Sequence, residues 1–582
     1  MKNRLARRFL IGLVALAADL LLLRYANPAL WLQLWPRPAL FVLLGGFAIY
    51  YWFPELFRGV NALRIAGVGM VFLGQCYLLH SLQVLYVDRS PIALVHFLCI
   101  TGTFLVMTLN YINQIRPKNN VVSPPLPTEL PYVAAIVPTY GEPCDILERT
   151  VTALRQLDYP AERLFIVVSD DSHREEVRRL ADRHGVHYNL GPRKNAKAGN
   201  LNSALHYLER HFPLAELILT QDADEIIYPS FLQKTVGYFA DPGIAFVQTP
   251  KDVITPPGDP FGTRDRFFYD VLQPGRNGFG AAFSCGSGVL WQLSAIQSIG
   301  GFATWNIVED LTTSYLLHSA GFRSEYHNEI LSIGLSPHDI PGVLKQRSTW
   351  ATDTWRLFLF KNPLRRPGLT LFQRLQYLEL GVFYTASVFI MPLLMIIPML
   401  SLATGHFIPI QGSILYSWVV ISLIYYAALA RGNPGHLMRS GQYWMSHWPT
   451  YAHALWIAVR SRHKKPSYTV TRKTRQNGFY GHLIWPQFLF IGLSLVLIAR
   501  GLFWMPEASL LNRLSNIALL LMPLYMVSAI CRAAFYGVSV QDIIGGHRRA
   551  HDEQVGPLAQ HDPGRLGEGF RPLDGTREEL NF

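Results

Sequence analysis

The sequence predicts an α-helical membrane protein with an α/β domain inserted between two groups of transmembrane helices. Half of the 582 residues are hydrophobic, whereas only 16% are charged. The apolar residues form continuous runs, which is typical of membrane spans and differs from the amphipathic spacing of a soluble enzyme with a large core. Between the two groups of runs, short β-rich segments alternate with helical patterns, which predicts an open α/β sheet.

About eight spans are predicted, each close to the ~20 apolar residues that cross the hydrocarbon core of a bilayer. Four precede the α/β domain and four follow it: 9–24, 38–55, 65–86, 91–113, 383–403, 411–430, 482–503 and 515–535. Basic residues flank the first run and also follow the sixth, at Arg462, Lys464 and Lys465. The positive-inside rule therefore predicts a multi-pass protein with its termini and α/β domain in the cytoplasm. The first run predicts a span and not a cleaved signal peptide.

This pattern divides the chain into four parts. The expected parts are N-terminal transmembrane helices (1–120), a cytoplasmic α/β domain (121–368), interface helices with the C-terminal transmembrane helices (369–540), and a tail (541–582). A Pro-rich linker at 121–130 opens the domain. Less apolar segments at 369–383 and 436–462 predict amphipathic helices at the membrane interface, although the first would equally suit packing on the domain.

Charge and cysteine usage exclude other classes. The net charge is +12, but the basic residues stand beside apolar runs, so they indicate membrane flanks and no nucleic-acid partner. The five cysteines form no C-x-x-C spacing, so neither a zinc site nor a disulfide framework is indicated.

Acidic residues follow the predicted strands of the α/β domain. The strand-like runs are 132–140, 164–172, 216–225 and 244–250. Ligands bind open α/β sheets beyond the carboxyl ends of the strands, where Asp170, Asp171, Asp222 and Asp224 are expected. The pair Asp222 and Asp224 suits Mg²⁺ or Mn²⁺, which takes one or two carboxylates and leaves positions for phosphate oxygens. A helix N-cap pair is the alternative interpretation of this D-x-D.

Seven motifs follow one another in this region: VPTYGEP (137–143), SDDS (169–172), NAKAGNLN (195–202), QDADE (221–225), FSCGSG (283–288), VED (308–310) and QRSTW (346–350). Their order resembles family 2 glycosyltransferases with a GT-A (Rossmann-like) fold, and within them the bacterial cellulose synthase catalytic subunits. The resemblance covers roughly 130–360, and the flanking spans follow the same layout.

The resemblance implies a role for each motif. Asp310 would be the catalytic general base, with Glu309 orienting either that base or the acceptor, unless Asp310 only caps a helix. The metal would bind Asp222 and Asp224. The nucleotide sugar would contact Tyr140, Glu142, Asp170, Asp171, Lys197 and Asp222, although Lys197 could also be a surface lysine. The acceptor side would include Cys285, Gln346 and Trp350. Cys285 is interpreted as a packed small residue and not a nucleophile, and Trp350 could instead be a core residue.

Two positions depart from the family pattern. Val308 replaces threonine, and Thr349 replaces the arginine of Q-x-x-R-W that helps to hold the diphosphate in the family. Arg347 is nearby but would point elsewhere on a helix. The sugar or the linkage is therefore left open.

A last motif lies beyond the sixth span. YTVTRK (468–473) resembles the F-x-V-T-x-K gating loop of cellulose synthases, which implies that Thr471 and Lys473 bind the nucleotide. A basic membrane flank is the alternative. The tail 541–582 is too short for the PilZ domain of many bacterial relatives.

These observations predict a processive inverting glycosyltransferase of the bacterial inner membrane. It would polymerise sugar from a UDP-sugar, UDP-glucose above all, into a β-glucan and translocate the growing polysaccharide. Membrane lipid and accessory periplasmic or regulatory subunits are the expected partners. The alternatives are a synthase of another polymer (β-1,3- or mixed-linkage glucan, or a hyaluronan-like or mannuronan-like chain), a non-processive lipid-sugar transferase, and a catalytically silent subunit.

Overall fold

The computed structural model describes residues 59–408, 412–430, 433–466 and 478–538. The predicted spans 9–24 and 38–55, the motif 468–473 with Thr471 and Lys473, and the tail 541–582 lie outside the described residues.

Helices make up most of the described chain. They are α1 (Gly59–Asp88), α2 (Pro91–Asn113), α3 (Cys144–Arg155), α4 (Glu175–Arg183), α5 (Ala196–His211), α6 (Phe231–Thr235), α7 (Gln273–Asn277), α8 (Leu293–Ser298), α9 (Asp310–Ser319), α10 (Ile340–Phe360), α11 (Leu371–Thr385), α12 (Met391–Thr404), α13 (Gly412–Leu429), α14 (Pro434–Ser446), α15 (Trp448–Arg460), α16 (Trp485–Phe503) and α17 (Leu510–Ala534).

The strands form two sheets. They are β1 (Val133–Thr139), β2 (Leu164–Asp170), β3 (His187–Leu190), β4 (Leu217–Thr220), β5 (Glu225–Ile227), β6 (Ile244–Gln248), β7 (Lys251–Ile254), β8 (Val289–Gln292), β9 (Arg323–Tyr326) and β10 (Ser332–Leu335). The large sheet has the order β3-β2-β1-β4-β8-β6-β9, and the small one has the order β5-β10-β7. All four strands predicted from the sequence are confirmed.

The large sheet is covered on both faces, which explains its uninterrupted apolar strands. Along β1, Val133, Ala135 and Val137 join one core with α3, whereas Ala134 and Ile136 join another with α5. Because side chains alternate across a strand, a fully apolar strand requires a helix on each side. The result is the α/β architecture predicted for this domain.

Strand direction brings three loops to one edge of this sheet. β2 and β4 both run parallel to β1, and Thr139 at the end of β1 lies opposite Asp170 at the end of β2. β8 runs antiparallel between β4 and β6, so the sheet is mixed. The loops after β1, β2 and β4 therefore lie side by side at the carboxyl edge.

Five helical segments are long and apolar enough to cross a membrane. They are Gly59–Asp88, Pro91–Asn113, Leu371–Thr404, Gly481–Phe503 and Leu510–Ala534. They contain five of the six predicted spans that fall within the described part of the chain. The sixth, 411–430, corresponds to α13, whose apolar stretch Ser417–Leu429 is shorter.

The predicted interface helix at 369–383 is not a separate element. α11 continues through a π-helical turn at Ala386–Ile390 into α12, giving one segment of 34 residues. The wider turn lies directly before Pro392, which cannot donate a backbone hydrogen bond, so the turn absorbs a break that would otherwise end the helix. The other predicted interface segment, 436–462, forms α14 and α15, separated at His447 ahead of Pro449.

The described residues divide into two compact units. One contains the described residues up to Arg116, together with 389–437 and 494–521, and the other contains 117–388, 438–493 and the described residues from 522. In the first unit, polar groups pair with each other inside apolar helices: the Tyr77 hydroxyl lies 2.9 Å from His96 Nε2, and the Tyr425 hydroxyl donates to Asn110. Such pairing is expected where no water is available. The second unit contains both sheets.

Candidate active site

The loop after β1 is shaped by the carboxylate of Glu142. One of its oxygens, Oε2, accepts hydrogen bonds from the Thr139 hydroxyl and the Tyr140 amide, each at 2.8 Å, and from the Gly141 amide at 3.1 Å. The Tyr140 ring is 57% exposed. Of the two residues predicted here for nucleotide-sugar binding, Tyr140 thus offers an accessible ring and Glu142 fixes the turn beneath it.

The loop after β2 uses its two aspartates differently. Asp170 is fully buried and accepts hydrogen bonds from the amides of Ser172 and Arg174, at 2.9 and 2.7 Å, and from the Ser172 and Tyr188 hydroxyls. Four donors satisfy this carboxylate within its own surroundings. Asp170 therefore acts as the internal anchor of the loop.

Asp171 points toward the start of α5. Its Oδ1 accepts from the Arg193 amide at 2.5 Å, and burial raises the pKa of its carboxyl group. A Cβ on Gly191 would lie 2.6 Å from the same oxygen, so only glycine allows this approach. Of the two aspartates predicted to bind nucleotide sugar, Asp171 is the one that contacts the loop directly before the NAKAGNLN segment.

The D-x-D after β4 does not cap a helix, because β5 begins at Glu225. The Asp222 amide donates to the Ser287 hydroxyl at 2.8 Å, and Ser287 in turn donates to Glu225 at 2.6 Å. The side chain of Asp222 is 30% exposed, whereas Asp224 is buried. The helix-cap alternative for these acids is thus excluded, and Asp222 has the more accessible carboxylate.

Lys197 links three of the predicted motifs. Its ammonium lies 2.6 Å from Asp222 Oδ1, 2.7 Å from the Gly286 carbonyl and 3.2 Å from Glu309 Oε1. Burial alone would lower its pKa, but the carboxylates of Asp222 and Glu309 outweigh that effect and hold the pKa above its ordinary value. Lys197 is therefore a charged member of a cluster that includes Asp222 and Glu309, and it is not a surface lysine.

A second lysine, Lys251 at the start of β7, was missed by the sequence analysis. Its ammonium lies 2.7 Å from Glu225 Oε1, 3.3 Å from the Cys285 carbonyl and 3.6 Å from Asp222 Oδ2. The only signal in the sequence was a lysine directly after the strand 244–250. Lys197 and Lys251 thus lie against different oxygens of the same Asp222 carboxylate.

Asp310 and Glu309 lie together at the start of α9. Burial, and then the neighbouring charge of Glu309, raise the pKa of Asp310 to about 7. Asp310 Oδ1 accepts from the Leu311 amide, and a Cβ on Gly286 would lie 3.2 Å from both Asp310 Oδ2 and Lys197 Nζ. Asp310 therefore contacts the first helical turn, as the capping alternative requires, but it also faces the Lys197 cluster.

Glu309 has one oxygen that the protein leaves unsatisfied. Its Oε1 faces Lys197, whereas its buried Oε2 has no hydrogen-bond partner among the described residues. An unsatisfied buried carboxylate oxygen is costly unless a ligand completes it. This arrangement favours a site that is incomplete without a donor group such as a hydroxyl.

Helix α10 holds the loop that leads to Asp310. The Asp353 carboxylate accepts from the amides of Ile307 and Val308 at 3.0 and 2.7 Å. Arg356 donates to the Asn306 side chain and to the carbonyls of Trp305, Ser461 and Lys464. Neither Asp353 nor Arg356 was predicted, because a QRSTW motif does not show which residues one turn later face the loop.

The remaining predicted acceptor residues lie on two segments. The Cys285 amide donates to Gln248 at 2.6 Å, and burial raises the pKa of the Cys285 thiol to about 12, so it is a packed residue and not a nucleophile. Gln346 is half-buried on α10. The Trp350 ring is 37% exposed and lies beneath the Arg347 guanidinium at 5.0 Å, so Trp350 is not a core residue.

The donor set after β4 suits a divalent cation that shares its coordination with phosphate. Among the described residues, no group of three or more His, Cys, Asp or Glu side chains could hold a metal alone. Mg²⁺ and Mn²⁺ accept one or two carboxylates with phosphate oxygens completing the shell. Around Asp222, carboxyl groups outnumber the ammonium groups of Lys197 and Lys251. Asp222 and Asp224 can therefore bind such a cation when a nucleotide diphosphate is bound.

Comparison with known families assigns the domain. Residues 131–352 match the family model described as glycosyltransferase like family 2, and residues 297–455 match the model described as cellulose synthase. The α/β domain therefore matches family 2 glycosyltransferases, and an overlapping region that extends beyond it matches cellulose synthases. Both matches agree with the predicted resemblance.

Curated relatives give the same result. The chain is 34% identical to the cellulose synthase 1 catalytic subunit [UDP-forming] of Komagataeibacter xylinus, over 47% of this chain and 38% of the relative. It is 33% identical to the cellulose synthase catalytic subunit [UDP-forming] of Xanthomonas axonopodis pv. citri (strain 306), over 48% and 40%. The chain thus spans less than half the length of these curated relatives.

Among solved structures, one match is the mannosyltransferase PcManGT from Pyrobaculum calidifontis, in complex with GDP-Man and Mn2+. It is 20% identical, with a TM-score of 0.43, and the match covers 69% of this chain and 99% of that one. The fold assignment rests on the family matches and on the strand order.

Proposed function

We propose that the protein is a processive, inverting glycosyltransferase that polymerises glucose from UDP-glucose into a β-glucan and translocates it across the bacterial inner membrane, with the α/β domain in the cytoplasm. The observation that carries this proposal is the cluster of Asp222, Lys197, Glu309 and Asp310, formed by three motifs at the carboxyl edge of the sheet.

Asp310 supports the chemical step of this proposal. A general base works best when its pKa lies near the working pH, and that of Asp310 is raised to about 7. Asp310 accepts the proton of the acceptor hydroxyl while that oxygen bonds to the anomeric carbon and the bond from this carbon to the diphosphate breaks. The electron pair leaves with UDP. A single in-line displacement converts an α-linked donor into a β-linked product.

The leaving diphosphate needs positive charge around it. A divalent cation bound with Asp222 and Asp224 would supply part of that charge. Lys197, fixed between Asp222, Gly286 and Glu309, brings an ammonium to the same place without further reorganisation. The unsatisfied Oε2 of Glu309 offers an acceptor for a sugar or acceptor hydroxyl.

The membrane segments support coupling of synthesis to secretion. Five described helical segments have the length and apolarity of spans, and they come before and after the glycosyltransferase domain in the chain. Membrane lipid is thus the expected partner of these segments, and accessory periplasmic or regulatory subunits are further expected partners.

The test uses inverted membrane vesicles that contain the full chain, supplied with labelled UDP-glucose and Mg²⁺ or Mn²⁺. We expect a high-molecular-weight product that a β-1,4-specific glucanase degrades. Asp310→Asn should lose about 10²–10⁴-fold in rate, which is the typical share of a general base. Asp182→Asn, an exposed Asp on α4, is the matched control and should keep the wild-type rate.

A related synthase that makes another β-linked polymer is the second candidate. The observation that favours it is Thr349, which stands where the family motif has a diphosphate-binding arginine. A polymer that resists the β-1,4-specific enzyme would support this candidate. A product of lipid size only would support a non-processive transferase, and no product from any UDP-sugar would support a catalytically silent subunit.

A further inference from the structure

Helix α10 lacks the cation that the Q-x-x-R-W motif would bring to the diphosphate. The Thr349 hydroxyl donates to the Lys345 carbonyl at 3.0 Å, within its own helix. Arg347 is committed to Asp265 at 2.6 Å and to the Gly262 carbonyl at 3.0 Å. Neither side chain replaces the missing arginine, so the positive charge must come from another element.

Lys251 offers that charge from the opposite side of Asp222. Lys197 has three oxygens within 3.2 Å, enough to occupy its three N–H groups. Lys251 has oxygens at 2.7 and 3.3 Å, but Asp222 Oδ2 at 3.6 Å is beyond hydrogen-bond range. Among the described residues, one N–H of Lys251 therefore remains for a ligand.

The position of Lys251 also indicates which phosphate it would meet. On one side it pairs with Glu225, directly after the D-x-D, and lies 3.6 Å from Asp222 Oδ2, and on the other it donates to the Cys285 carbonyl of the FSCGSG segment. Gly286, the next residue of that segment, lies against Asp310. The ammonium thus lies between the metal-binding acids and the place where the sugar is attacked, which is where the sugar-bearing phosphate must be.

We propose that Lys251 binds the sugar-bearing β-phosphate of the nucleotide diphosphate and takes the place of the arginine that Thr349 replaces. This inference rests on the proposed function, because it presupposes a nucleoside diphosphate sugar at Asp222. An ammonium is a point charge without the two-pronged donor geometry of a guanidinium. Lys251 would therefore neutralise the leaving group without fixing its orientation as tightly.

The test measures UDP and UMP binding to the purified full chain in detergent with Mg²⁺, by calorimetry. Lys251→Gln should weaken UDP binding about tenfold or more, because a charge-assisted hydrogen bond to phosphate is lost. UMP, which has no β-phosphate, should bind within about twofold of wild type. Lys251→Arg should keep the preference for UDP. Lys118→Gln removes a lysine from a comparable ion pair, with Glu325 at 2.6 Å, and should change neither affinity.

A purely structural Lys251 would behave differently. If it only neutralises Glu225, the double variant Glu225→Gln/Lys251→Gln should recover wild-type UDP binding, which would overturn the inference. Equal losses for UDP and UMP in Lys251→Gln would also overturn it. If Lys251→Gln does not fold, the double variant supplies the UDP-to-UMP ratio. Absence of UDP binding in the wild-type protein would instead count against the proposed function itself.

Discussion

The loops after β2 and β4 each follow a buried parallel strand, and each carries a pair of acidic residues. Their carboxylates nevertheless face different kinds of donor group. Asp170 is satisfied by amides and hydroxyls from its own loop and from the adjacent strand β3. Asp222 accepts a hydrogen bond from the ammonium group of Lys197 on α5 and lies 3.6 Å from that of Lys251 on β7. The first carboxylate is saturated by neutral donors, and the second lies between two charged side chains.

This difference separates an anchor from a binding site. Backbone amides cannot leave a carboxylate without unfolding the loop, so the contacts of Asp170 define local structure. A lysine ammonium group can exchange a carboxylate for a phosphate by side-chain rotation, and the released carboxylate can then bind a cation. The two acidic loops lie at the same edge of the sheet, but loss of a carboxylate should affect the catalytic rate in one and the stability in the other. Substitutions of Asp222 and Asp170 measure both effects.

Of substitutions in these two loops, Asp222→Asn should have the larger effect on activity. We expect polymer synthesis to fall about 10²–10³-fold, as when one group that stabilises transition-state charge is removed. Thermal unfolding of the purified protein should change little, because the substitution relieves a concentration of negative charge. Initial rates in vesicles and an unfolding curve check both parts. A large loss of stability with full specific activity would show that Asp222 stabilises the fold and is not needed for catalysis.

Asp170→Asn should show the opposite result. A side-chain amide in this position keeps one acceptor oxygen but places its NH₂ group against one of the two backbone amides, of Ser172 or Arg174, so the free energy of unfolding should fall by about 2–3 kcal/mol. The fraction that remains folded should keep its catalytic rate within about tenfold. Denaturant unfolding monitored beside the specific activity provides the measurement. A dead but fully stable variant would show that Asp170 binds ligand directly.

Much of this organisation could be predicted from the sequence. The four predicted strands formed because uninterrupted apolar runs between helical patterns suit a sheet covered on both faces. The acids at their carboxyl ends follow from strand direction alone. A pair such as Asp170 and Asp171, however, does not show which side chain turns into the loop, because the answer depends on where Ser172, Arg174 and Arg193 place their amides.

Contacts between distant segments could not be predicted. Lys251 reaches Asp222 and Cys285 only because β8 runs antiparallel between β4 and β6, an arrangement that no local pattern specifies. Asp353 and Arg356 hold the loop before Asp310 by hydrogen bonds to its backbone groups. Such contacts cannot be read from the sequence, because every residue carries the same backbone groups. The continuous segment of α11 and α12 depends on a π-helical turn ahead of Pro392.

The pH profile offers a finer measure of the charged cluster around Lys197. In the proposed mechanism, Asp310 acts as a base when it is deprotonated, so kcat/KM should rise with pH through about 7. Burial is the main cause of this raised pKa, and the charge of Glu309 is the second. Glu309→Gln should therefore move the rise to lower pH without restoring the ordinary pKa of an aspartate. Glu162→Gln, an exposed substitution, should leave the profile unchanged. If the pH profile of Glu309→Gln is not shifted, the pKa seen in that profile does not belong to Asp310.

Thr349→Val should have the smallest effect. The Thr349 hydroxyl donates to Lys345 within α10, as the Thr352 hydroxyl donates to Ser348 one turn later. Such bonds back to the preceding turn contribute little to helix stability, so valine should keep both the fold and the rate within about twofold. Thr352→Val is the matched control for loss of a hydroxyl. A tenfold rise in KM for the nucleotide sugar in Thr349→Val alone would show that the hydroxyl turns away from its helix to meet the diphosphate. If Lys251→Gln also binds UDP as tightly as the wild type, that result would assign the role of the missing arginine to Thr349 on α10 and not to Lys251 on β7.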